Sequence, residues 1–132
     1  MKNISLLLIL LITSFAGHAT DKIVKEYLGT YKTAGESGCS MTMIITAQGD
    51  TYHYKIKTST KVREGRLEVT KMGDEIYFRF IGLLGVKPKT VIEGQYIDKQ
   101  IVIQNDGNTM NKFLNFKECD EKYIEFSKTE TK

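Results

Sequence analysis

Few residues of this 132-residue chain are of the types that carry chemistry. There are two cysteines, Cys39 and Cys119, and two histidines, His18 and His53. A histidine acting as general base needs a nucleophile within hydrogen-bond reach and a group that orients its ring. Nothing near His53 in sequence supplies either. It alternates with Tyr52 and Tyr54, which places it on the wet face of a strand. Structural zinc asks for four thiolate, imidazole or carboxylate ligands, and His53 with two cysteines that pair with each other is too small a set. Glu118, Asp120 and Glu121 cluster in the way an oxygen-ligated calcium ion would want. They sit beside Lys117 and Lys122, however, and read as a solvated turn. No Gly-x-Ser-x-Gly elbow and no phosphate-binding loop occurs, since both need fixed spacings that are absent. The expectation is a non-enzymatic protein with no catalytic residue, no metal ligand and no cofactor.

The cysteines take their meaning from the N-terminus. Lys2 is followed by the apolar run 4–12 and then by Ala16, Gly17 and Ala19. Positive start, apolar centre and small residues make a secretory signal peptide over 1–19, cut after Ala19. The run is too short to span a bilayer, which takes about 20 residues, and no later stretch could do so. Residues 20–132 then form one domain, secreted or periplasmic. In an oxidising compartment Cys39 and Cys119 are expected to bridge. Closing a loop of that length removes about 4.5 kcal/mol of chain entropy from the unfolded state. With 19 basic and 16 acidic residues, the balance argues against a nucleic-acid partner.

The elements that position these residues are strands. Alternation puts Met41, Met43 and Ile45 on one face of 38–46, and Tyr52, Tyr54 and Ile56 on one face of 51–58, with a turn at Gln48-Gly49-Asp50 between them. Further strands are expected over 66–72, 75–81, 90–97, 100–104, 113–117 and 122–127, with turns at Gly73-Asp74, Asp98-Lys99 and 105–108. A short helix is expected over 21–28 and a first strand over 29–33. Eight or so strands with short connections suit an all-β, antiparallel up-and-down barrel, which leaves no edge strands, in preference to a sandwich. A bridge from Cys39 to Cys119 would tie the ends of the closing sheet.

Leu28-Gly29-Thr30-Tyr31 before the first strand, followed by hairpins punctuated by Gly-Asp and Asp-Gly, resembles the secreted bacterial lipocalin-like, or calycin-type, small barrels. In that group a Gly-x-Trp element plugs the closed end of the barrel, and here Tyr31 stands at the tryptophan position. The resemblance implies a β-barrel with a binding cavity or a protein-binding mouth. It carries over no binding residues.

Tyr52, Tyr54, Phe78 and Phe80, with Phe113 and Phe126, are the inward candidates for holding a small apolar ligand, although in a small barrel such rings also fill the interior. The loop 81–88 is apolar for a connection. Leu83, Leu84 and Val86 would either plug the barrel end or dock a protein partner. Lys55, Lys57, Lys61, Arg63 and Arg66 would lie on the outer face and tip of one hairpin, as a wet face or an anion- or glycan-facing patch. The leading expectation is a binding protein for a small apolar ligand or for a protein partner at the mouth. The alternative is an inhibitor of a hydrolase such as lysozyme acting through Glu36-Ser37-Gly38, for which a mildly basic chain has the wrong charge.

Overall fold

The computed structural model describes residues 22–35, 39–83, 91–107, 110 and 113–130. The expected signal peptide lies outside them. Among the described residues no helix is long and apolar enough to cross a membrane.

Eight strands close into one antiparallel barrel in the order of the chain: β1 (Gly29–Lys32), β2 (Thr42–Gln48), β3 (Thr51–Lys57), β4 (Val62–Met72), β5 (Glu75–Ile81), β6 (Val91–Ile97), β7 (Gln100–Gln104) and β8 (Tyr123–Lys128). This is the expected all-β, up-and-down architecture. Alternation drives it: in β3, Tyr52, Tyr54 and Ile56 are buried while Lys55 and Lys57 are exposed. One face of each strand must leave water, and a closed sheet lets every strand do so with a neighbour on both flanks, the β1–β8 seam being the shortest pairing. Where the chain reverses tightly, Gly49 and Gly73 take positive φ, as does the pair Asp98 (φ 48°) and Lys99 (φ 65°). Left-handed residues match the twist of two-residue hairpins.

These hairpin turns define one end of the barrel. A 3-10 turn at Lys25–Tyr27 covers it, where a longer helix was expected over 21–28. Tyr27 points inward and meets Phe78 and Tyr96 edge-on, with ring centroids 5.2 and 5.1 Å apart. The Tyr31 hydroxyl donates to the Tyr27 carbonyl at 2.9 Å, and Tyr31 is wholly internal. The opposite end, the mouth, carries the longer connections after β1, β3, β5 and β7.

Three expectations need correction. β4 begins at Val62, four residues earlier than expected, because Val62–Leu67 continues the ladder against β3. Arg63 therefore faces inward opposite Ile56, not outward on the hairpin. Residues 113–117 are not a strand. A single bridge, Asp106 to Leu114, is formed there. The Asn105 side chain takes the Phe116 amide, and Phe113 turns outward, 38% exposed, while Phe116 is buried. β2 starts at Thr42 instead of 38, since Cys39 and Met41 are tied to Thr33 by hydrogen bonds to its hydroxyl.

Candidate functional site

At the mouth the structure describes residues 33–35 and 39–41 after β1, 58–61 after β3, 82–83 after β5, and 105–107, 110 and 113–122 after β7. The expected disulfide is present: Cys39 after β1 bonds to Cys119 before β8, with Cα atoms 4.7 Å apart and the two residues 80 positions apart in sequence. It holds the β7–β8 connection down on the β1–β2 loop. The neighbouring Glu118 reaches across the mouth to β4, where its Oε1 lies 3.3 Å from Nη2 of Arg63. Both side chains are largely buried, 15% exposed for Arg63 and 9% for Glu118. The Thr58 and Thr60 hydroxyls donate to the same carboxylate oxygen at 2.9 and 3.1 Å. Burial alone would raise the Glu118 carboxyl. Its own backbone amide, the Thr58 hydroxyl and the Arg63 guanidinium outweigh that and hold it at about 2. The solvated turn expected for Glu118, Asp120 and Glu121 therefore fails at Glu118, while Asp120 and Glu121 are exposed.

Beneath this pair Phe116 is fully buried, with the Arg63 guanidinium 5.2 Å above its ring. Asn105 fixes the backbone around it. Its Nδ2 donates to the carbonyls of Cys119 (2.8 Å), Glu121 (2.9 Å) and Phe116 (3.3 Å), and its Oδ1 accepts from the Phe116 amide at 2.6 Å. Asn115 adds a bond from Nδ2 to the Gln104 carbonyl. Nη1 of Arg63 is buried with no hydrogen-bond partner among the described residues. In the turn after β5, Leu83 also points inside, 1% exposed. Leu84 and Val86 of the same loop lie outside the described residues, as do Glu36, Ser37 and Gly38.

The four aromatic ligand candidates are all buried, but they do not surround one site. Tyr54 meets Phe80 edge-on at 5.2 Å, and its hydroxyl donates to the Ile81 carbonyl at 2.9 Å. Burial pushes that phenol up to about 12, against the opposing charge of Arg63. Phe78 stacks on Tyr96 at 5.1 Å, and the Tyr52 hydroxyl accepts the Val24 amide at 2.6 Å, both in the cluster around Tyr27 at the far end. The rings are thus committed to one another. Gly65 and Gly94 show how closely: a Cβ on Gly65 would lie 2.6 Å from the Ile81 carbonyl, and one on Gly94 would lie 3.0 Å from Ile101 and Ile103.

On the outer face, His53 sits half-buried between Thr46 and Arg66 in the cross-strand register. It lines a depression of about 530 Å³ with Ile44, Gln48, Lys55 and Glu64. Its register neighbours are a hydroxyl and a cation, not the carboxylate a general base would use. The basic hairpin is largely neutralised: Lys55 pairs with Glu64 at 3.5 Å, Arg66 with Glu68 at 2.6 Å, and Arg63 with Glu118. Among the described residues, one group of possible metal ligands comes together, Cys39, Cys119 and Glu121. The bridged sulfurs are not thiolates, so the group offers one carboxylate.

Sequence reasoning missed Arg63, Asn105 and Phe116 as the parts that close the mouth. For Arg63 a signal existed, because extending the inward parity of Leu67 backwards passes through Gly65 to Arg63. No protein-family model, no curated protein and no solved structure matches this chain.

Proposed function

We propose that this is a non-enzymatic, extracytoplasmic binding protein of lipocalin-like build whose target is a protein held at the covered mouth. Export follows from the signal-peptide pattern ending near Ala19, and a bridge between Cys39 and Cys119 suits that compartment. One observation carries the reading. The inward rings pack on each other and their hydroxyls are taken up by backbone groups and Glu26, whereas the β7–β8 connection turns Met110, Phe113 and Leu114 outward, 97, 38 and 42% exposed. Exposed apolar side chains next to a segment held by the disulfide and by Asn105 are what a protein interface uses as anchors. The mutual packing of the inward rings favours the partner over the small apolar ligand, and with Leu83 buried the exposed apolar residues of the β7–β8 connection are the surface we put forward.

A site-specific photocrosslinker tests this in the native host. Placed at position 113 it should give one discrete adduct, lost when Leu114→Asp is added. Placed at the exposed Met72, at the opposite end, it should give none. Equal adducts from both positions, or none from either, would remove the proposal.

A further inference from the structure

The barrel is closed, yet its last seam is paired over only part of its length. β8 pairs with β7 from Tyr123 to Ser127. On its other flank it pairs with β1 only at Ser127 and Lys128. Beyond Lys32 the first strand's chain turns to β2 instead, where the Thr33 amide donates to the Met41 carbonyl at 3.2 Å. Residues 123–126 of β8 therefore have a strand on one side and, among the described residues, none on the other. The direction of the backbone groups follows from their neighbours. The Lys128 amide donates to Lys99 on the β7 side, and the Thr129 amide donates to Thr30 on the β1 side. Alternation then aims the amides and carbonyls of Tyr123 and Glu125 at the unpaired flank.

That flank is a groove of about 340 Å³. Thr33, Ala34, Gly35 and Cys39 form one wall, and Glu121, Tyr123 and Glu125 the other. Neither carboxylate has an ion-pair partner among the described residues. The nearby Lys122 ammonium lies over the Tyr123 ring, 5.7 Å from its centre.

We propose that this half-open seam accepts an extended basic peptide segment of the partner as an added strand, antiparallel to β8 and in line with β1. The proposal rests on the protein-binding reading above and names the chemistry of its target. Backbone pairing with Tyr123 and Glu125 supplies the register, as in strand addition to a sheet edge. Side chains opposite those two residues point outward, where cross-strand attraction to Glu125 and the adjacent Glu121 selects lysine or arginine. The side chain between them points inward, on the same face as the buried Ile124, and must be small.

The test uses the oxidised, isotope-labelled protein and a capped seven-residue peptide alternating lysine with alanine. This peptide should slow hydrogen exchange of the Tyr123 and Glu125 amides at least tenfold and leave Ile124 and Phe126, which already bond to β7, unchanged. The same peptide N-methylated at its pairing amides should give no protection, nor should a glutamate–alanine peptide. Glu121→Lys with Glu125→Lys should invert the preference. The proposal is overturned if Tyr123 and Glu125 exchange as slowly as Phe126 in the protein alone, or if the N-methylated peptide protects equally. It is also overturned if protection rises with protein concentration without peptide, since copies of the chain would then fill the seam. A peptide that gives no protection, with the position-113 adduct still formed, refutes the seam and leaves the binding reading standing.

Discussion

Glu118 shows how one side chain can hold a loop and make that hold depend on pH. Its carboxyl is depressed from 4.5 to about 2. A depressed acid stabilises the fold fully above its unfolded value, and that contribution disappears as pH falls toward the folded value. The window is therefore about pH 4.5 down to about pH 2, and the shift corresponds to roughly 3 kcal/mol. Glu118→Gln should flatten the acid limb of stability across that window in urea titrations taken at several pH values. Truncation should be worse than neutralisation. Glu118→Ala leaves the buried Arg63 guanidinium unpaired, which costs about 3–5 kcal/mol, while Arg63→Met with Glu118→Leu should restore most of it. A double variant as unstable as Glu118→Ala would show that the pair holds the loop by more than its charges.

Residues 113–121 of the β7–β8 connection hold their place without a strand because Asn105 replaces a ladder. Its side chain donates to three carbonyls and accepts one backbone amide, and of these the Phe116 carbonyl also takes the Cys119 amide. Asn105→Ala should cost about 3 kcal/mol, from several unsatisfied groups at about 1–3 kcal/mol each. Asn105→Asp, nearly the same shape, should cost at least as much, because an oxygen would face three carbonyl oxygens. Equilibrium unfolding of the two variants checks this, and a harmless Asn105→Asp would contradict the hydrogen-bond assignment. The same connection marks where sequence stopped being informative. The strands announce themselves through period two: Tyr52, Tyr54 and Ile56, or Ile101 and Ile103, leave little choice of face. Residues 113–117, Phe-Leu-Asn-Phe-Lys, look like a β segment by composition, but they lack the alternation. Their conformation is set by contacts from Asn105, ten residues away, and by a disulfide to the far end of the sheet. Such long-range terms leave no local pattern to read. Arg63 was hidden differently, since a charged residue in a basic stretch reads as surface until its buried partner Glu118, 55 positions later, is known.

For the whole molecule, the disulfide and the sheet close the same circle. Cys39→Ser with Cys119→Ser should lower stability by up to about 4.5 kcal/mol, the loop-entropy limit. The far-UV spectrum should stay native, because every strand keeps its ladder. Chemical denaturation followed by circular dichroism measures both, and a lost β spectrum in mild buffer would mean that the sheet cannot close unaided. The brevity of the β1–β8 seam also sets an order of events. Seven of the eight strand pairings join neighbours in the chain, and the eighth, between residues nearly a hundred positions apart, is made by two residue pairs. Local hairpins close at small entropic cost, and the distant pair closes at a large one with little to reward it. The barrel should therefore assemble as a zipped open sheet that rolls shut last. Its first opening under stress should be a clean split between β1 and β8, with the other seven ladders still intact.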